Sequence, residues 1–77
     1  MGSKSDKKIE IYELDRGVIK SLAGFNFSVR KGADYRVCHV ELYCDLVVWG
    51  PDCVIISNNN GYQAMICTNL FSEIVLH

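Results

Sequence analysis

Two histidines, four cysteines and nine acidic residues are the side chains here that could do acid–base, nucleophilic or metal chemistry. Nucleophilic catalysis needs a nucleophile, a base and usually an orienting group within hydrogen-bond reach. Cys38 and His39 are adjacent in sequence, and adjacent side chains on a strand point to opposite faces, so they make no dyad. His77 could meet a cysteine only across a strand pair that the sequence does not specify. Glu41 and Asp45 share one strand face but stand about 13 Å apart at the strand rise per residue. That exceeds the carboxyl separation of an inverting glycosidase. The glycines sit singly in turns, so no loop cradles phosphate. The expectation is a protein that is not an enzyme and takes no cofactor.

One constellation remains. His39, Glu41, Tyr43 and Asp45 alternate along a single polar stripe, and His-x-Glu on a strand can chelate a metal ion. The plainer reading is the solvated face of a half-buried sheet. Tyr12, Tyr35, Tyr43 and Tyr62, with Trp49, could stack on nucleic-acid bases. Tyr43, however, shares its stripe with acids that repel phosphate. The cysteines, Cys38, Cys44, Cys53 and Cys67, follow C-x5-C-x8-C-x13-C, which fits no zinc template. They read as buried thiols that behave as small hydrophobes. Two disulfides would be the alternative in a secreted chain.

Charge is divided along the chain. Residues 1–36 hold all eight Lys and Arg with five acids, net +3, whereas residues 37–77 hold four acids and no Lys or Arg, net −4. A nucleic-acid binder needs cations along its contact surface, so nucleic acid is not the expected partner. Residues 1–8 are polar and charged with no apolar stretch. They read as a disordered tail without a secretory signal, and the chain is expected to be cytoplasmic with reduced thiols. The run Leu46–Trp49 is far too short to span a membrane.

The elements that must position these residues are strands. Val and Ile number fifteen and the aromatics eight, against six Leu and three Ala, a composition that fits pleated, half-buried surfaces. Lys8–Leu14 reads as a first strand, and Asp15-Arg-Gly17 as a turn. Residues 15–23 read as either a short helix, capped by Asp15 and ended by Gly24, or a hairpin strand. Phe25–Val29 alternates as a strand, and Lys31–Asp34 is a loop. Tyr35–Trp49 is the strongest segment: every even position from Cys38 to Val48 is apolar, while His39 to Asp45 on the odd face are polar or amphipathic. Fifteen residues is long for one strand, so a bend or bulge is expected near Asp45. Cys53–Ser57 and Tyr62–Thr68 flank Asn58-Asn-Asn-Gly61, which reads as a type I′ hairpin. Gly61→Val should then be among the most damaging exposed changes. Asn69–Ser72 suggests a 3₁₀ turn, and Glu73–His77 a last short strand.

Taken together, residues 9–77 read as a single small domain, mostly β (all-β or α+β). The architecture expected is an antiparallel meander of five to six strands, curled into a barrel or roll or packed on one short helix. Residues 46–56 are apolar on both faces, so a small sheet needs either barrel closure or another subunit. The expected function is that of a non-enzymatic interaction protein that binds another protein, most simply itself as a C2 homodimer, through Val47, Trp49, Ile55 and Tyr62. Trp49 is the natural anchor. The alternative is a ligand- or metal-binding module at His39 and Glu41. The size also suits the small factors that mobile elements carry.

Overall fold

A computed structural model describes residues 7–32 and 35–77. Most of the expected tail (1–6) and part of the expected 31–34 loop (33 and 34) lie outside the described residues. The first strand, read from sequence as Lys8–Leu14, begins one residue earlier, at Lys7 in the expected tail. In chain order the strands are β1 (Lys7–Asp15), β2 (Asn26–Lys31), β3 (Val37–Cys44), β4 (Leu46–Trp49), β5 (Cys53–Ser57), β6 (Gln63–Cys67) and β7 (Glu73–Leu76). There are thus seven strands among the described residues, more than the five or six expected. They form two antiparallel sheets, ordered β2-β3-β1-β7 and β4-β5-β6, which are not closed into a barrel. Among the described residues no helix is long and apolar enough to cross a membrane.

The topology departs from a meander because β3, not β2, lies beside β1. The intervening segment Arg16–Leu22 is a 3₁₀ helix, resolving the choice between helix and strand. Asp15 caps it as expected, its carboxylate accepting from the Gly17 N–H at 2.8 Å. Gly17 in the first turn and the β-branched pair Val18-Ile19 disfavour a full α-helix. Gly24 ends the segment at φ +95°, a left-handed geometry that glycine adopts freely.

β1 contains a bulge. Ile11 pairs with Val40 and Leu14 with Cys38, so β1 holds one residue more than β3 across this interval. Glu13 takes the strain, at φ +54°. The bulge explains the sequence spacing Ile9-x-Ile11-x-x-Leu14: the extra residue restores Leu14 to the buried face.

The expected bend at Asp45 is where the chain leaves one sheet for the other. Up to it, the even residues Cys38, Val40, Leu42 and Cys44 are buried; beyond it, Leu46 and Val48 are exposed and Val47 packs against the core. The two sheets share one core, so their inward sides point in opposite directions. A pleat that continues in phase from one sheet to the other therefore exposes the parity it had buried. Ile9, Ile11, Leu14, Val40 and Leu42 from the first sheet meet Val54, Ile56, Ala64 and Ile66 from the second, with Leu22 and Phe25 between.

The Asn58–Gly61 turn is not type I′. Gly61 donates to Asn58 O at 3.1 Å and Asn58 donates to Tyr62 O at 2.9 Å, and among the loop residues only Gly61 has positive φ, +100°. This is a three-residue loop, a type I turn followed by a left-handed glycine. Asp45 Oδ2 accepts from the Asn59 N–H at 2.7 Å, and this bond anchors the loop to the bend.

Candidate functional site

Two surfaces compete for a functional role, one on each sheet. The first is the polar outer face of the four-stranded sheet. The register sets His39 opposite Arg30, Glu41 between Ser28 and Glu10, and Tyr43 between Asn26 and Lys8. The bulge brings Tyr12 beside His39: their rings stack with centroids 4.6 Å apart and 8° between planes. Tyr12 Oη donates to Glu10 Oε1 at 2.8 Å, while His77 Nε2 lies 3.5 Å from Glu10 Oε2. On the neighbouring rung Lys8 Nζ is 3.1 Å from Glu41 Oε2.

These contacts set the electrostatics. The Tyr12 hydroxyl, and after it the two histidines, hold the Glu10 carboxyl below its ordinary 4.5. The same bond holds the Tyr12 proton, so its phenol lies above the usual 10.0. Glu41 holds the Lys8 ammonium above its ordinary 10.5. Of the stripe read from sequence, His39, Glu41 and Tyr43 do share this face. Asp45 leaves it to bond the Asn59 backbone. Glu10, Tyr12 and His77 join the face through strand register, which no spacing in the sequence reveals. Among the described residues no group of three or more His, Cys, Asp or Glu could hold a metal ion. His39 Nε2 is buried and has no hydrogen-bond partner among the described residues.

Glu10 provides a test by pH. Its folded pKa lies below the unfolded value, so the folded chain binds that proton less readily. The resulting stabilisation is complete above pH 4.5 and is lost as pH falls through the folded value. Melting curves between pH 7 and about pH 3 should therefore show a shallower acid limb in Glu10→Gln than in the wild type. Tyr12→Phe should flatten the same limb, because the tyrosine supplies the main part of the shift. An acid limb of unchanged slope in both variants would count against this arrangement.

The second surface is the outer face of the three-stranded sheet. Val48, Ile55 and Met65 form one row across β4, β5 and β6, with Leu46 beside them. Val48 is 45% exposed, Leu46 52% and Met65 63%. No charged residue lies on these three strands. Of the interface residues expected from sequence, Ile55 lies in this row. Trp49 is 52% exposed at the edge, not enclosed in a barrel. Val47 faces the core, and Tyr62 folds over the Gly24 backbone. Leu46 and Val48 carry the even parity of the buried half of β3, so alternation along the chain does not mark them as exposed.

The cysteines divide between these environments. Cys38 and Cys44 are buried thiols, as expected, and desolvation pushes both pKa values up. Cys38 Sγ contacts Leu14 O at 3.6 Å. Cys53 is half-buried and Cys67 exposed, and both are free thiols, so burial describes only half of the set. No family model, curated protein or solved structure matches the chain.

Proposed function

We propose that the chain is a small non-enzymatic binding protein whose three-stranded sheet docks a protein partner, and that this partner is a second copy of the chain. The observation that carries the reading is the uncharged apolar row Leu46, Val48, Ile55 and Met65 running out to an unprotected edge. β4 is that edge and, among the described residues, pairs only with β5. Gly50 N–H donates to Cys53 O at 2.8 Å. By antiparallel alternation the backbone groups of Val47 and Trp49 then point away from β5, to the open side. Edges of this kind are normally blunted by lysine, proline or a bulge, and β4 has none of these. An antiparallel strand is complementary to its own copy about a two-fold axis, and a register centred on Val48 joins the open groups of Val47 and Trp49. Two uncharged faces meet there without like-charge repulsion.

Light scattering at micromolar concentration is expected to return about twice the chain mass of 8.7 kDa. Val48→Lys, which adds an edge lysine at a half-exposed position, should return the monomer mass with the β spectrum intact. A wild-type monomer at tens of micromolar would overturn the proposal.

A ligand role for the polar face has one observation in its favour, the unpartnered His39 Nε2. Against it, Glu41 is engaged by Lys8, and Glu10 by Tyr12 and His77. Titration with Zn²⁺ followed on the His39 ring resonances discriminates: a saturable shift of that ring favours the second reading.

A further inference from the structure

We propose that Cys53 and Cys67 form a reversible dithiol–disulfide couple that closes across the β5–β6 hairpin. The register places Cys53 directly opposite Cys67. The backbone bonds fix the type of pair. Asn58 N–H donates to Tyr62 O at one end of the hairpin, and Thr68 N–H to Asp52 O, 2.9 Å in each case, at the other. Counting inward by alternation from either end makes Cys53–Cys67 a non-hydrogen-bonded pair. Such pairs have Cα atoms about 4.5 Å apart, inside the range a disulfide spans. Both side chains point to the outer face, because Val54 and Ile66, the next pair along, point into the core.

Access is asymmetric in the way an exchange reaction needs. Cys67 is exposed and borders a shallow cleft of about 300 Å³ with Asp52, Thr68 and Asn69. Cys53 is half-buried, and its sulfur leans over Gly50, where an added Cβ would lie 3.0 Å from it. Closure requires a rotation about χ1 that turns that sulfur from Gly50 to Cys67.

The oxidant is a small-molecule disulfide. The Cys67 thiolate attacks one of its sulfurs; the S–S bond breaks, one thiolate leaves and takes up a proton, and a mixed disulfide forms on Cys67. The Cys53 thiolate then attacks Cys67 Sγ and expels the second thiol. Two protein thiols lose two electrons and two protons, and the reagent disulfide becomes two thiols. The opposing strands hold the second thiol beside the first, so closure outruns accumulation of the mixed disulfide. This couple does not depend on self-association.

The test uses the full reduced chain in a mixture of oxidised and reduced glutathione, quenched with acid and alkylated. The expected result is an intact monomer lighter by two hydrogens, with the Cys53 and Cys67 peptides linked and Cys38 and Cys44 alkylated only after denaturation. Cys53→Ser should trap one glutathione on Cys67. Addition of dithiothreitol should restore the starting mass. A wild-type chain that accumulates the glutathione adduct, links between copies, or stays reduced would overturn the couple. The wild-type readout stands even if the serine variant does not fold.

Discussion

Gly24→Ala is expected to destabilise the fold by about 3 kcal/mol, with a fall in Tm on the order of 15 °C. Two effects coincide at this residue. Its φ of +95° is in the left-handed region, where an L side chain costs about 1–2 kcal/mol. A Cβ there would also stand 2.6 Å from Cγ and Cε1 of Tyr62, and closer still to Cδ1. Overpacking of that kind costs roughly 1–3 kcal/mol. Gly61 separates the two contributions. Its φ is +100°, yet nothing lies within 4 Å of an added Cβ, so Gly61→Ala should show the conformational part alone. From sequence, substitution at Gly61 is expected among the most damaging exposed changes; the tertiary contact with Tyr62 puts Gly24 above it. In the double variant Gly24→Ala with Tyr62→Ala, the steric part should disappear and the two changes should be less than additive. Urea melts of the wild type, the single variants Gly24→Ala, Gly61→Ala and Tyr62→Ala, and the double variant measure this. If Gly24→Ala is no worse than Gly61→Ala, the Tyr62 ring is not seated on that backbone.

Leu22→Ala should cost about 3 kcal/mol, within the range of leucine truncations at sites that cannot collapse. Leu22 is fully buried while Ser21 and Ala23 on either side are exposed. Its 3₁₀ segment packs against β1 in one sheet and β6 in the other. Both walls of the resulting cavity are therefore held by hydrogen-bonded strands, and neither can move in to fill it. A chain of 77 residues has a total stability of about 4–12 kcal/mol, so this single loss is a large fraction of it. Ile19, only partly buried on the same segment, should lose about 1 kcal/mol on truncation to alanine. Equal, small losses at both positions would mean that the segment is a loose cover rather than the plug between the sheets. The segment has little stability of its own, since 3₁₀ geometry is poor beyond a few residues. It persists through the Asp15 cap and this buried leucine.

Local features were legible in the sequence because they depend on neighbours along the chain. Period-two alternation marked β3, Asp15 and Gly24 bounded a segment that could be either a short helix or a strand, and an alternating stretch of fifteen residues, too long for one strand, marked the break near Asp45. The alternation also determined that Cys38 and Cys44 share a face with Val40 and Leu42, and that His39, Glu41 and Tyr43 share the other.

Tertiary structure decided on which side the core lies, and which residues meet across strands. Alternation separates two faces without saying which is covered. At Asp45 the chain crosses between sheets that face each other, so the covered face changes while the pattern runs on. That change exposes Leu46 and Val48 and turns Val47 inward. Register is the second such quantity. The bulge at Glu13 and the lengths of the connections slide Tyr12 over His39, set Glu10 beside Glu41 and place Cys53 opposite Cys67. A one-residue slip would dissolve each of these pairs while leaving every strand's own pattern unchanged. Sidedness belongs to the single strand and is written in its residues. Pairing belongs to two strands at once, and it is settled only when the core, the turns and the bulge are satisfied together.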